Sequence, residues 1–494
     1  EEAEDKERFL KQAAAFIRMW IDDFPLYKEG VRGSVWYAYV LAIRIETWVR
    51  LHTLFQKHGM EFDERIVREL HFTTRVLLRN IEHGTMANHL MKNIKGILFA
   101  GLYFEDEVGQ QCRQIALELL EREIREQFCE DGCHFERSPM YHVAMATDIM
   151  DMLELLKASG RELPALWMRT LGRIVGFLEN VRHPDDEIPF FNDATKSFFI
   201  RTGDVLERGK RLFTQLGCVV VRPEKFGHFN PANHSGILVC RSEDMFLAFD
   251  GGYVGPDYQA GHAHCDTLSF ELSWHGKRLI TDTGVYHYKE SRERTYSRST
   301  EAHNTIRVDG VDQTSVWKSF RVGRRAKTHS LYAEERNRLH VFHAIHDGFT
   351  RIQKSIFHER YTAVKPGEWV AVVDFLHGFG VHTAESFLHF HPDCRVTHDV
   401  HNVFAEQHSR QYTVQFFPQS ISMKLDLRET EYYPEFGKKL PRTSIVASLK
   451  GGFPMAMGYI ISENSPAVRL EIDPDGYSVR IRDDDQQYLC LMPE

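Results

Sequence analysis

Residues 267–280 read Thr-Leu-Ser-Phe-Glu-Leu-Ser-Trp-His-Gly-Lys-Arg-Leu-Ile. Leu268, Phe270, Leu272 and Trp274 alternate with Ser269, Glu271 and Ser273, the period of two that a strand with one buried face demands. His275-Gly276 can turn the chain, and Arg278-Leu279-Ile280 returns it. This stretch is therefore read as a β-hairpin. Further strands are expected at Gly217–Arg222, Gly236–Cys240, Met245–Phe249, Trp369–Phe375, Ser420–Leu427, Ser444–Ser448, Met457–Ile461 and Val468–Ile472. Asp309-Gly310 and Asp475-Gly476 supply further turns. Many short strands with tight turns predict a large antiparallel β-sandwich.

Before the hairpin the period changes. From Lys6 to about Val181 apolar residues recur at helical spacing, as in Ile149, Met152, Leu153 and Leu156, or Leu90, Ile94, Leu98 and Leu102. About seven amphipathic helices are expected, joined by breaks such as Lys57-His58-Gly59, Ser159-Gly160 and His183-Pro184-Asp185-Asp186. No short repeat is visible, so paired helices point to a toroid or bundle rather than a solenoid. With 494 residues the chain exceeds one hydrophobic core. The expected organisation is α+β and multidomain: residues 1–200 helical, residues 201–494 the sandwich, with the boundary near 190–210.

No apolar run approaches the roughly 20 residues that cross a bilayer. The chain opens on Glu1 rather than Met. A trimmed leader would place it in the periplasm or outside the cell, and a start as given in the cytoplasm, so the compartment stays open. The eight cysteines are sparse for a disulfide scaffold and are read as mostly reduced. Cys129 and Cys133 lack a second pair nearby and are not read as a zinc site. A net charge of −9 argues against general nucleic-acid binding, so an anionic ligand must meet a local basic site. Self-association is compatible with these features and is not specified by them.

Four segments could carry chemistry. In Asp131–His142, Ser138 suits an N-cap and Pro139 a first helical residue, placing Tyr141 and His142 in the first turn. The helix dipole there favours a phenolate, which suits a tyrosine acting as base, although capping alone explains most of the segment. Asn88-His89 precedes the next apolar stripe, where Asn88 can be a plain N-cap. Gly261-His262-Ala263-His264, with Asp282 and His303, offers a zinc-type set of two imidazoles and a carboxylate. Histidines bonding within loops remain the alternative. The hairpin register places Asp282 roughly 16 Å along the strand from His264, so a metal site requires the chain to curl. Tyr286–Arg298 concentrates Arg292, Arg294 and Arg298 with Tyr288 and Tyr296. Guanidinium groups suit carboxylate or sulfate and tyrosine rings suit sugar faces, while Glu290 and Glu293 allow a self-paired loop.

Taken in order, these pieces resemble the heparinase II/III-like lyases. The matching residues are Trp36, Arg44 and Trp48, Asn88-His89, Phe135–His142 (FERSPMYH), Phe191–Ala194 (FNDA), Gly261–Leu272 (GHAHCDTLSFEL), Asp282-Thr283-Gly284 and Arg298–Thr305 (RSTEAHNT). The resemblance covers residues 34–320; beyond that only the strand pattern supports it. It implies an incomplete (α/α) toroid followed by an antiparallel β-sandwich, and cleavage of a uronate-containing, heparin- or heparan-sulfate-like acidic polysaccharide by β-elimination. Asn88 and His89 would face the substrate carboxylate, Tyr141 would transfer the proton, and His262 would act as base or charge stabiliser. His264, Asp282 and His303 would hold a structural divalent metal, zinc by type. Arg137, His142, Tyr288, Arg292 and Arg294 would contact substrate. The helical part is shorter than a full toroid of this family, so further N-terminal helices are expected outside this chain.

Two other readings compete. An α-toroid glycoside hydrolase would need two acidic residues, with Glu136 and Asp193 as candidates. A non-catalytic polysaccharide-binding or biosynthetic accessory protein would keep the fold without turnover. The retained set Asn88, His89, Tyr141 and His262 favours the lyase over both.

Overall fold

The structure is a computed structural model that describes residues 2–30, 33–196, 201–418, 423–463, 468–472, 478–482 and 487–492. Two compact units are present. The first holds Glu1–Gln127 and Met145–Leu171, the second Phe128–Ala144 and Gly172–Glu494.

Helices account for the first unit. They are α1 (Glu2–Asp23), α2 (Ala38–Lys57), α3 (Glu64–Leu78), α4 (Ala87–Tyr103), α5 (Glu107–Glu126) and most of α6 (Pro139–Ala158), with α7 (Ala165–Val181) beginning there. Their starts follow local chemistry. Asp63 accepts from the Arg65 amide at 2.8 Å and Asp106 from the Gly109 amide at 3.0 Å, each relieving an orphan donor. Helix α4 is the centre of the unit: Leu90, Met91, Ile94, Ile97 and Leu98 have no exposed surface. Gly96 lets α4 lie directly on α2, since a Cβ there would sit 2.6 Å from the Ala42 Cα. Beside it Lys95 is buried among Glu46 at 2.8 Å, Asp148 at 3.0 Å and Asp151, and Lys92 reaches Asp148 at 2.6 Å.

Seven helices to Val181 match the expected number among the described residues, but helix does not stop there. Helix α8 (Thr202–Leu216) follows, closed by Gly217 at φ 69°. The strand expected at Gly217–Arg222 is absent. Its valines lie instead along the glycine face of α7: the Val221 amide donates to the Gly172 carbonyl at 3.1 Å. A Cβ on Gly176 would stand 1.9 Å from the Val221 carbonyl oxygen. Two small residues on a helix thus captured a β-branched run that alternation assigned to a ladder.

In the second unit the hairpin is as read, Phe270–Trp274 pairing with Lys277–Ile280, with a bulge at Leu272/Ser273. With Ile237–Arg241 and Met245–Asp250 it forms a four-stranded antiparallel sheet. A nine-stranded sheet carries Thr328–Arg336, Leu339–His346, His358–Lys365, Trp369–Leu376, Met455–Glu463 and Arg410–Phe417. Ile306–Val308, Val381–His389, Lys438–Gly452 and Met423–Glu435 form another four-stranded sheet. One continuous core joins all three, from Leu247, Phe270 and Trp274 through Phe342 and Val372 to Leu388 and Ile445. The far face of the large sheet buries Val341, Ala371 and Ile460 against a three-stranded piece bearing Leu470, Ile481 and Leu489. The expected turn at Asp475-Gly476 and residues 420–422 of an expected strand lie outside the described residues.

Candidate functional site

In the second unit, α6 begins where Ser138 and Pro139 require. The Ser138 hydroxyl accepts from the Tyr141 amide at 3.3 Å while donating to the Asp193 carbonyl at 2.7 Å. This cap fixes Tyr141 in the first helical turn and ties that turn to the FNDA segment. The Tyr141 ring packs on His262 with centroids 3.9 Å apart and planes at 31°, and its hydroxyl donates to Tyr288 Oη at 3.3 Å.

Asp193 organises the cluster. Its Oδ2 lies 2.8 Å from His262 Nδ1, and its Oδ1 2.8 Å from His264 Nε2. Arg294 grips both oxygens, one contact being Nη2 to Oδ2 at 2.9 Å. Burial opposes ionisation of this fully enclosed carboxyl, but Arg294 and the two imidazoles win and hold it well below the usual carboxylate range. The remaining nitrogen of His262 faces Glu136 at 3.8 Å. Burial depresses His262, yet Glu136 and Asp193 overcome it and leave its pKa raised. Burial, with Tyr141 and Asp193 adding to it, pushes the Tyr288 phenol well above 10, so Tyr288 stays protonated.

Beside this cluster the chain curls as a metal site would require. Leu268 adopts φ 67°, the Ser269 amide closes a turn on the Asp266 carbonyl at 2.8 Å, and the His264 and His303 rings approach to 5.4 Å. The potential ligand atoms of His264, Asp266 and His303 lie within 4.8 Å of one another. In each residue one polar atom is engaged and one is not. His264 uses Nε2 on Asp193, Asp266 accepts the Asn192 amide on Oδ2 at 2.6 Å, and His303 uses Nδ1 on Asp282 at 2.7 Å. His264 Nδ1, Asp266 Oδ1 and His303 Nε2 are buried without a hydrogen-bond partner among the described residues. Buried polar atoms left this way fit a cation that accepts all three. Asp282, the carboxylate named from sequence, orients His303 instead of joining the converging atoms, and its Oδ1 accepts the Thr283 amide at 2.7 Å. Burial and the Asp282 charge raise the Asp266 carboxyl to about 6, whereas His303, despite burial, is raised by Asp282 and Asp266.

Several expected substrate contacts are corrected. His142 is fully buried; its Nδ1 accepts the His134 amide at 3.1 Å and its Nε2 meets the Ile174 carbonyl at 3.1 Å, leaving no ring nitrogen for a ligand. Arg294 is committed to Asp193 and to the Ser319 carbonyl. Arg137, at φ 55°, donates to the Pro231 carbonyl at 2.7 Å and lies over the Tyr253 ring. Arg298 is buried among the carbonyls of Ala263, Lys318 and Arg321. Arg294 and Arg298 serve structure because a short helix, α9 (Arg292–Arg298), turns their side of the chain inward. Arg292 is exposed on the other side, lining a cavity of about 710 Å³ with Thr295, Arg428 and Thr430. From this segment Tyr288 meets the Tyr141 hydroxyl. Asp193 was named only as an acid of the hydrolase reading, and Asp266 was missed; their signal was their place inside the FNDA and GHAHCD motifs.

In the first unit Asn88 is not an N-cap. Helix α4 starts two residues earlier, at Ala87 after Met86 at φ 58°, so Asn88 and His89 occupy its first turn. His89 Nδ1 lies 3.0 Å from Glu82 Oε1 and 3.5 Å from the Tyr37 hydroxyl, with the Tyr39 ring at 4.8 Å. Asn93 locks Glu82 by donating to its Oε2 at 2.9 Å and accepting its amide at 3.0 Å. Burial and the neighbouring Glu82 push the Tyr37 phenol up to about 12.

Residues 2–214 match the heparinase II/III N-terminus and residues 226–473 the heparinase II/III-like C-terminal region. The chain belongs to the heparinase II/III family. A heparin-sulfate lyase of Bacteroides stercoris is 27% identical over 253 residues, which are 47% of this chain and 37% of that protein. A heparin-sulfate lyase of Pedobacter heparinus is 26% identical over 257 residues, 46% of this chain and 37% of that one. The matches thus span well under half the length of these relatives. A crystal structure of heparinase III superposes with a TM-score of 0.81 at 16% identity, covering 99% of this chain and 80% of the other. That likeness is one of fold, and it bears out the helical toroid followed by an antiparallel sandwich.

Proposed function

We propose that this chain is a polysaccharide lyase that cleaves a uronate-containing glycosaminoglycan of the heparin or heparan-sulfate type by β-elimination. The observation that carries the reading is the stack of Tyr141 on His262, with the hydroxyl of Tyr141 on Tyr288 and the imidazole held by Asp193. The His262 imidazole against the ring and the protonated Tyr288 at its oxygen both support a phenolate at Tyr141.

That phenolate removes the C5 proton of the uronate. The C5 electron pair forms the C4–C5 double bond as the C4–O bond breaks, and the departing oxygen takes the proton back from the Tyr141 phenol. The family resemblance assigns Asn88 and His89 to the substrate carboxylate, whose charge grows as C5 loses its proton. His262 is the base for the opposite C5 epimer. His264, Asp266 and His303 would hold a divalent cation, zinc by ligand type, with Asp282 and Asp193 orienting the imidazoles. When bound, that ion supplies a cross-link between loops, which makes it a brace. The hydrolase reading loses support because Arg294 holds Asp193 ionised, which excludes it as the acid, and both its oxygens are taken up by His262, His264 and Arg294.

The decisive experiment is Tyr141→Phe assayed on heparin, heparan sulfate, unsulfated uronates and alginate by ultraviolet absorbance of the unsaturated uronate. The expected result is a fall in turnover of about 10²–10⁴-fold with substrate binding retained. Undiminished formation of the double bond in that variant removes Tyr141 from the chemistry.

A further inference from the structure

The chain carries a net charge of −9, yet one small cavity of the second unit concentrates the opposite sign. It holds about 310 Å³ and is lined by Arg182, Arg222, Lys225, Arg241 and His340, with Glu179 the acidic side chain among them. The charges do not cancel within it. Glu179 is divided between Arg222 at 3.3 Å and Lys210 at 3.7 Å, and Arg182 pairs with Asp186. Arg241 and Lys225 form no ion pair with a carboxylate among the described residues. Arg241 is instead held in place by the Asn180 carbonyl at 3.2 Å, by the Arg182 carbonyl and by the Phe246 ring at 4.5 Å. A guanidinium fixed by carbonyls and an aromatic face, beside other cations, is preorganised for an oxyanion. Burial and then the adjacent Arg182 lower the Arg241 pKa against the pull of Glu179, while at His340 burial lowers the pKa, with Glu335 opposing it and Lys225 adding to it.

We propose that this cavity is a second glycan-binding site, which takes a sulfate-bearing sugar of the polysaccharide away from the scissile bond. None of its lining residues belongs to the Tyr141–His262–Asp193 cluster. Its ligand class rests on the lyase reading, which makes a sulfated polyanion the molecule the protein meets. The cavity volume suits one sugar with its sulfate rather than a run of chain. Engagement there would hold a long substrate at two points and raise its effective concentration at the catalytic cluster.

The test titrates the full chain carrying Tyr141→Phe with a heparin decasaccharide and with the same decasaccharide after chemical desulfation. Adding Arg222→Ser and Lys225→Ser, both at exposed positions, is expected to weaken the sulfated ligand at least fivefold and flatten its salt dependence. The desulfated ligand should be unaffected, and Lys225→Glu alone should reproduce the loss. Unchanged affinity for the sulfated ligand, or an equal loss for both ligands, overturns the proposal. Wild-type turnover separates this site from the lyase reading. Sulfate-dependent binding through Arg222 and Lys225 without unsaturated product would remove the lyase and keep the site; product formation with binding indifferent to both residues would do the reverse.

Discussion

Nδ1 of His262 and Oδ2 of Asp193 stand 2.8 Å apart, and the same carboxylate is gripped by the buried Arg294. One acid therefore orients the His262 imidazole and neutralises a guanidinium with no other acidic partner among the described residues. Asp193→Asn should do two separable things. It leaves Arg294 buried and unpaired, costing about 3–5 kcal/mol of stability, and it lowers turnover by releasing His262. Adding Arg294→Met should restore the melting temperature without restoring turnover. A double variant that regains both would make Asp193 purely structural.

The three orphaned atoms on His264, Asp266 and His303 predict about one divalent ion per chain by elemental analysis. Chelation, or His303→Ala, should lower the melting temperature by several degrees while the far-ultraviolet circular dichroism stays intact. Metal-free protein with unaltered melting would argue that these atoms tolerate being unpaired.

Acid should destabilise the fold over a defined range. Burial drives His142 and His183 down to about 4, below their ordinary 6.5. With the folded value below the unfolded one, the unfolded chain takes protons first. Their contribution is present in full above about pH 6.5 and is lost as pH falls toward 4. Urea midpoints at pH 7.5, 6 and 4.5 measure this, and a midpoint constant down to 4.5 would contradict it.

Lys95 neutralises Glu46, Asp148 and Asp151 inside the helical unit. Lys95→Met keeps the volume and strands the carboxylates. The expected destabilisation is about 3–5 kcal/mol, seen as a lowered denaturant midpoint. A cost under about 1 kcal/mol would mean the carboxylates find water or one another's protons.

Local pattern alone specified much of this protein. The two periods separated helices from sheets, the alternation from Leu268 to Trp274 placed the hairpin, and Ser138-Pro139 placed Tyr141 at a helix start, because caps, turns and alternation act within a few residues. The same local rules misassigned Gly217–Arg222, whose valines lie on the glycines of α7, roughly 45 to 50 residues away in sequence. They could not reveal Asp193 as the shared partner of His262, His264 and Arg294, nor Asp266 in place of Asp282 at the converging atoms. Nor could they show that Arg294 and Arg298 face inward while Arg292 faces out. Those facts depend on which buried charges meet across the fold, and a buried charge takes whatever distant partner packing brings to it.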